Sequence, residues 1–440
     1  MSNAAFLSYQ QALDYLYQFG SSRHQAHGDQ RDPMRNLVAT QALLAALGNP
    51  HHQLTSILVA GTKGKGSTCA LIESILRAAG YRTGLWTSPH LTSYRERIQV
   101  NREWISQSAV INGVTLLQEV LPTVDPSVAS YSTTFLLGLT LALHHFLHQQ
   151  VDFAIIEVGL GGRYDATNVV QPCISVITSI SYDHMPILGT TLEAIAWDKA
   201  GIIKPGVPVI TVPQTAEAAS VIEQVATSLH ASCWIAAEET VVESATGQHW
   251  PYPVPAVSAL AGAFQYENTR LALATITQLQ HQGTMISEQA MIQGLACVAW
   301  PGRFEVVNDS PRIILDGAHN GDSAEKLRLA LYDYMHVERL LLILGVSHGK
   351  DLERILAALV PSATWVILTA ANHPRAYNNL SELAARAQPY LKGELMLTAT
   401  VAQALKQAQQ IARPDDLICL TGSLFVVGQA RVALGLAIAD

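Results

Sequence analysis

The stretch Thr55 to Gly80, TSILVAGTKGKGSTCALIESILRAAG, decides how the chain folds. Ser56 to Ala60 is a short apolar run that reads as a buried strand, and Gly61 to Gly66 reads as a loop. Ser67 to Ala79 carries Leu71, Ile72, Ile75, Leu76 and Ala79 at helical spacing and is closed by Gly80. Strand, glycine loop and helix together make an anion site. Backbone N–H groups of the loop and first helical turn point at the ligand, glycines let the chain come close, Lys65 adds a positive charge, and the hydroxyl of Ser67 or Thr68 can reach Mg²⁺. The spelling departs from G-x-x-x-x-G-K-[ST], because Lys65 precedes Gly66. The plain alternative is a turn that only joins strand to helix, but the elements predicted on both sides are those the anion site needs.

Outward from this stretch the same rhythm repeats. SILVA, TGLWT, FAIIEV, CISVIT and VPVITV are separated by longer segments of helical period. Continuously apolar strands alternating with helices predict an α/β protein whose parallel sheet is covered on both faces. From about residue 215 to 257 the pattern weakens, and the helical GAFQYENTRLALATITQL follows. The rhythm restarts after VAWPGRFEVV with RIILD, LLLILGV, WVILTA and DLICLTG, so two domains are expected, 1–299 and 300–440.

The 440 residues are 49% apolar and 14% charged, enough to bury two ordinary cores. A formal charge of -8 gives no long-range attraction for nucleic acid, so an anionic ligand has to be captured locally. Five cysteines without paired spacing fit neither a disulfide framework nor a zinc site and predict reduced thiols in the cytoplasm. The opening MSNAAFLSYQQALDYLYQFG reads as an amphipathic helix rather than a signal peptide. FLLGLTLAL ends at His144, short of the roughly 20 apolar residues that span a bilayer, so no membrane partner is expected.

Chemistry-bearing residues recur at strand ends. FAIIEVGLGGRYDATNVV puts Glu157 at the carboxyl end of a buried strand, where a carboxylate requires a cation: a metal, or Arg163 as a structural ion pair. GLGGR falls short of a dinucleotide fingerprint, because Tyr164 stands where glycine is needed. SYDHMPILG places Asp183 and His184 at another strand end, the edge at which open α/β sheets bind ligands. In GTTLEAIAWDKAGIIKPG, Thr190 and Glu193 have capping-box spacing, and Lys199 in the last turn complements the helix dipole on the plain reading.

GTKGKGST, TSPHL, RERIQVN, EVGLGGRYDATN, YDHMPILG, DKAGIIK, WPGRFEVV, LDGAHN and TGSLFVVG, in this order, resemble the folylpolyglutamate synthase and dihydrofolate synthase family, within the Mur ligase superfamily of ATP-dependent amide-forming enzymes. The resemblance runs from about residue 10 to the end of the sequence. It implies an ATP-binding, phosphate-loop-type domain with a mostly parallel sheet and a smaller, Rossmann-like α/β glutamate-ligase domain after it.

The resemblance also implies roles. Thr62, Lys63, Gly64, Lys65, Gly66 and Ser67 hold the ATP phosphates, and Ser67, Ser88, Glu157, His184 and a carbamylated Lys199 hold two magnesium ions. Gln265 and Asn268 lie by the adenine, and Arg303 and Asp316 contact ATP from the second domain. Arg97, His319 and Ser423 bind L-glutamate, and Phe135, Tyr164, Asp165 and Ala166 lie near the pterin. Lys65, Lys199, His319 and Arg97 form the implied catalytic set. The reaction implied is activation of a folate or dihydropteroate carboxylate as an acyl phosphate, followed by amide formation, in a monomer that closes about residues 299–302. Departures from the family pattern are Leu136 after Phe135 where glutamate is frequent, Asp198 where glutamate is usual, and GVSHGKD where DKD is commoner. A Mur-type ligase for another carboxylate needs a further nucleotide-sugar domain, and a nucleotide-hydrolysing switch leaves LDGAHN and TGSLF without a purpose.

Overall fold

The computed structural model describes residues 7–20, 34–335 and 339–438. Among them the strands form two sheets, one of ten and one of six. The first contains β1 (Ser56–Ala60), β2 (Thr83–Trp86), β3 (Ile98–Val100), β4 (Glu103–Trp104), β5 (Phe153–Glu157), β6 (Pro172–Ile177), β7 (Val209–Thr211), β8 (Cys233–Ala236), β9 (Thr240–Glu243) and β10 (His249–Pro251). Their order is β10-β9-β8-β7-β6-β1-β5-β2-β3-β4. The second contains β11 (Glu305–Asp309), β12 (Arg312–Leu315), β13 (Leu340–Leu344), β14 (Trp365–Leu368), β15 (Glu394–Leu397) and β16 (Leu417–Thr421), in the order β11-β12-β16-β13-β14-β15.

SILVA and FAIIE are apolar at successive positions because helices cover both faces of the sheet, and every residue of β1 and β5 is buried. The second sheet shows the same logic by alternation. Leu340, Leu342 and Leu344 enter one core with Ile314, Val366 and Cys419, while Leu341 and Ile343 enter another with Leu315, Ile367 and Ile418. Pairing is parallel from β8 through β2 in the first sheet and from β12 through β15 in the second.

The antiparallel edges depart from the expected pattern. Residues 215–257, weakly patterned in sequence, form the helix Ala216–Ser228 and then β8, β9 and β10. β9 and β10 are largely half-buried or exposed, so their side chains carry no continuous apolar signal. Instead the ring of Trp250 stacks on Trp234 at 3.9 Å and on His281 at 3.7 Å. The helix after the glycine loop spans Lys65–Ala78 and buries Leu71, Ile72, Ile75 and Leu76. The helix Tyr9–Tyr17 begins with a capping box at Ser8, and the first six residues lie outside those described. Helix Thr134–His148 holds FLLGLTLAL in the core, and no helix among the described residues is long and apolar enough to cross a membrane.

One cap is corrected. Thr191, not Thr190, caps the helix Leu192–Lys199: its extended backbone (φ -120°, ψ 155°) aims the hydroxyl at the amide of Ala194.

The chain divides into two compact units. One comprises 1–90, 94–258 and 267–298, and the other 91–93, 259–266 and 299–440. Each has its own core. Ala261 and Phe264 pack on the second unit's core, as does Leu91.

Candidate active site

In the first unit the sheet order brings the carboxyl ends of β6, β1 and β5 side by side. Val59 pairs with Glu157 and Ala60 with Ile177, so the loop that leaves β1 emerges between the ends of its two neighbours. Thr62 pins that loop: its amide donates to Ser179 O (2.9 Å), its hydroxyl donates to Ser181 O, and Ser181 N donates back to the hydroxyl, both at 3.1 Å.

Two glycines are required here. Gly61 (φ 140°) and Gly64 (φ 87°) have backbones that side chains disfavour, and a Cβ would collide with the Thr178 hydroxyl at the first and the Asn268 amide at the second. Asn268, expected beside the adenine, therefore lies against the loop itself. Gln265, three residues earlier on the helix Phe264–His281, is buried. The hydroxyl oxygens of Thr68, Thr178 and Ser181 are buried without a hydrogen-bond partner among the described residues.

Two lysine amines converge on one carbonyl. Lys65 Nζ lies 3.3 Å and Lys199 Nζ 2.7 Å from Gly61 O. Lys199 is only 4% exposed, and burial, then the charge of Lys65, pull its pKa down to about 7 against the opposing pull of Asp198, Asp183 and Asp165. Two lysine amines at a glycine cradle with orphaned hydroxyls fit a polyphosphate, whose oxygens can accept from both. Glu157 is buried at the end of β5 and accepts from Ser88 N at 2.9 Å, so two of the expected metal-binding residues meet. Ser67 is buried in the first helical turn. His184 is half exposed, sits in a left-handed conformation (φ 49°) and has Nε2 3.9 Å from the Asp183 carboxylate.

No group of three or more His, Cys, Asp or Glu side chains clusters at metal-binding distance among the described residues. The expected set contains only one carboxylate and one imidazole, its other members being hydroxyls and a lysine. A hard divalent cation accepts such a set when phosphate oxygens and waters complete its shell.

The residues expected near the pterin are held by the turn that follows β5. Phe135 lies beneath Gly159 and edge-on to Trp86, ring centroids 5.5 Å apart. Leu136, noted as a departure from a frequent glutamate, is fully buried. The Asp165 carboxylate accepts from Leu160 N (3.0 Å), Thr167 N (2.9 Å) and Thr167 Oγ1 (2.5 Å), so it orders its own loop. Burial raises its pKa. Ala166 is buried, and the Tyr164 ring lies 6.3 Å from Trp197. Arg163 places its guanidinium 3.8 Å over Trp197 and donates to that residue's carbonyl at 3.0 Å. Arg97, expected at the glutamate, donates from Nε to His90 Nδ1 at 2.8 Å. His90 had escaped sequence reading, since a histidine inside TSPHL carries no spacing signal.

In the second unit the neighbours β12, β16 and β13 are followed within a few residues by Asp316, Ser423 and Ser347 respectively. Asp316 accepts from Phe304 N and Ala318 N, both at 2.8 Å; burial raises its pKa and Arg303 opposes the rise. A side chain at Gly317 would strike the Arg303 guanidinium and Leu424. His319 Nδ1 lies 2.8 Å from Gly317 O, which fixes the proton on that nitrogen and leaves Nε2 with the lone pair in the neutral ring. Ser423 caps the helix Leu424–Ala433, and its hydroxyl lies 3.3 Å from that of Ser347. Ser347 too was missed: GVSHGKD drew attention only beside its lysine.

A model of the Mur ligase middle domain matches residues 59–276, and one of the Mur ligase, glutamate ligase domain matches residues 302–424. A dihydrofolate synthase/folylpolyglutamate synthase of Bacillus subtilis is 33% identical over 412 residues, covering 89% of this chain and 93% of that protein. The structure of Mycobacterium tuberculosis folylpolyglutamate synthase complexed with ADP matches with a TM-score of 0.85 at 28% identity, covering 98% of this chain and 99% of that one. A bifunctional folylpolyglutamate synthase/dihydrofolate synthase of Yersinia pestis complexed with AMPPNP and Mn ion matches with a TM-score of 0.80 at 27% identity, covering 99% and 100%.

Proposed function

The chain belongs to the folylpolyglutamate synthase/dihydrofolate synthase family, and from this we propose that it joins L-glutamate to a folate, consuming ATP as it does so. The observation that carries the reading is the pair of lysine amines on Gly61 O, at a loop whose glycines admit no side chain. That arrangement suits the phosphates of a nucleotide, and the solved relatives bind ADP, or AMPPNP with Mn.

The chemistry follows from the inertness of a carboxylate. A carboxylate oxygen of the acceptor attacks the γ-phosphorus of ATP, the bond to ADP breaks, and an acyl phosphate forms. The amine of glutamate then attacks the acyl carbon, the amide bond forms, and phosphate leaves with the electron pair of the broken C–O bond. Lys65 balances charge that gathers on the phosphoryl oxygens, and Arg303 and Asp316 are assigned to the same nucleotide, with Asp316 ordering the turn beside Arg303. Residues that would hold divalent cations are Ser67, Ser88, Glu157, His184 and Lys199, and magnesium there supplies neutralisation of phosphate charge. Lys199 reaches that role after its neutral amine adds to CO₂, giving a carbamate and releasing a proton. Arg97, His319 and Ser423 are assigned to glutamate, with His319 Nε2 accepting the amine proton. Tyr164, Ala166 and Phe135 are assigned to the pterin. We place the reaction in the cytoplasm, in a monomer; five cysteines unpaired in the structure fit a reducing compartment.

The test offers purified protein ATP, radiolabelled glutamate, and dihydropteroate, tetrahydrofolate or a tetrahydrofolate polyglutamate separately. Label incorporated with equimolar ADP supports the reading and selects the acceptor. ATP hydrolysis indifferent to both folate and glutamate overturns it. His319→Ala with an unchanged rate and glutamate KM removes the role given to that imidazole.

A further inference from the structure

DKAGIIK ends in a second lysine, Lys204, for which the reaction above has no use. Its surroundings are specific. Nζ donates to the backbone carbonyl of Asn168 at 2.9 Å and to its side-chain Oδ1 at 2.8 Å. The ammonium thereby fixes which end of the Asn168 amide is oxygen. Nδ2, facing the other way, donates to Arg163 O at 2.9 Å and Gly201 O at 3.1 Å.

These bonds tie together two segments that the proposed chemistry needs at the same time. One is the loop that carries Tyr164, Asp165 and Ala166. The other is the turn Ala200–Ile202 directly after Lys199. The two backbones are in close contact elsewhere as well. Arg163 N donates to Asp198 O at 2.8 Å. A Cβ on Gly162 would come within 2.8 Å of Lys199 O, and one on Gly201 would collide with Arg163. Burial lowers the pKa of Lys204 to about 8, so the ammonium persists near neutrality.

We propose that Lys204 is a positioning residue which, through Asn168, holds the loop from Gly161 to Asn168 in fixed register with Lys199. The proposal rests on the roles given above to Lys199 and to that loop. The clamp's own hydrogen bonds join Lys204, Asn168, Arg163 and Gly201, so it reaches Lys199 through the backbone that follows it rather than through the Gly61 carbonyl shared with Lys65. Loosening it alters the acceptor and the carbamate while leaving the metal-independent hold of the glycine loop on a nucleotide alone.

The test compares Lys204→Met, Lys204→Arg and Asn168→Ser with the wild type, all as full-length protein. Four quantities are read: kcat, KM for the folate acceptor, Kd for AMPPNP without divalent metal, and the carbamate resonance after equilibration with ¹³C-bicarbonate. A misplacement of this kind costs on the order of tenfold to a hundredfold in rate. Lys204→Met is therefore expected to lose about tenfold in kcat, raise the acceptor KM several-fold and weaken the carbamate signal, with AMPPNP affinity within about twofold of wild type. Lys204→Arg should recover part of each loss by restoring a cationic donor to the Asn168 oxygens.

A lowered Tm with wild-type kcat, KM and carbamate signal makes Lys204 merely structural and overturns the proposal. Should Lys204→Met fail to fold, Asn168→Ser decides by the same readings, because it removes the bridges to Arg163 and Gly201 while leaving a small polar residue. If the wild type ligates glutamate to none of the folates, the functional reading fails, and the carbamate signal of the variants still tests the clamp.

Discussion

At the carboxyl edge of β6, β1 and β5, two lysine amines crowd one carbonyl, glycines leave an open cradle, and buried hydroxyls go unmatched. At the carboxyl edge of β12, β16 and β13, the chain largely satisfies itself: Asp316 is consumed by two backbone amides, His319 by the Gly317 carbonyl, and Ser423 by the helix it caps. Both edges arise from parallel strands whose ends align. The first gathers two lysine amines that nearby carboxylates offset only in part, whereas the second presents hydroxyls and an imidazole beside Arg303, suited to recognising an amino acid by hydrogen bonds.

The largest expected effect lies at the unbalanced edge. Lys65→Ala should lower ligation by about 10³-fold, measured as ADP released in the presence of folate and glutamate; a loss under tenfold would make the two edges equivalent. Next come the two buried carboxylates, which should fail in opposite ways. Glu157→Gln should lower kcat by about 10²-fold with little change in Tm, because the amide oxygen can still accept from Ser88 N while the charge that would face a cation is lost. Asp316→Asn should lower the unfolding free energy by about 2 kcal/mol, because an amide N–H now faces a backbone donor. Denaturant titration beside steady-state kinetics separates the two, and equal behaviour breaks the contrast.

A pH dependence of about tenfold follows from Lys199. Its folded pKa is about 7, and only the neutral amine adds to CO₂. At fixed dissolved CO₂ the carbamate should therefore increase as pH rises from about 6 to 8, and activity with it. A profile falling across that range removes the role. The smallest effect belongs to Ser347→Ala, about threefold in the glutamate KM with kcat and ATP KM steady; a shift in ATP KM instead would move Ser347 out of the amino-acid site.

How much of this was legible in the sequence depended on burial. β1, β5, β6, β13 and β16 are apolar at nearly every position, and each appears in SILVA, FAIIEV, CISVIT, LLLILGV and DLICLTG. β9, β10 and β15 sit at or near sheet edges with mixed exposure, so nothing in TVVE, HWP or ELML separates them from loop. Residue types at the site were legible because glycine, lysine and carboxylate at strand ends have few other purposes. Their partners were not. That Lys199 reaches the Gly61 carbonyl across 138 positions, or that Asp165 and Asp316 turn inward to backbone amides, depends on packing between distant segments. Local spacing misled at Thr190, where the extended backbone needed for capping falls one residue later.

The second unit draws on residues 91–93 and 259–266 as well as everything from 299 onward. Leu91 packs on one of its cores, and Ala261 and Phe264 on the other. A gene segment beginning at codon 299 would thus encode a lobe with patches of its interior bare. During synthesis, the ribosome has delivered two of that lobe's three contributions before the bulk of it exists. Inheritance of this half as a detachable cassette would have to carry residues 91–93 and 259–266 along with it.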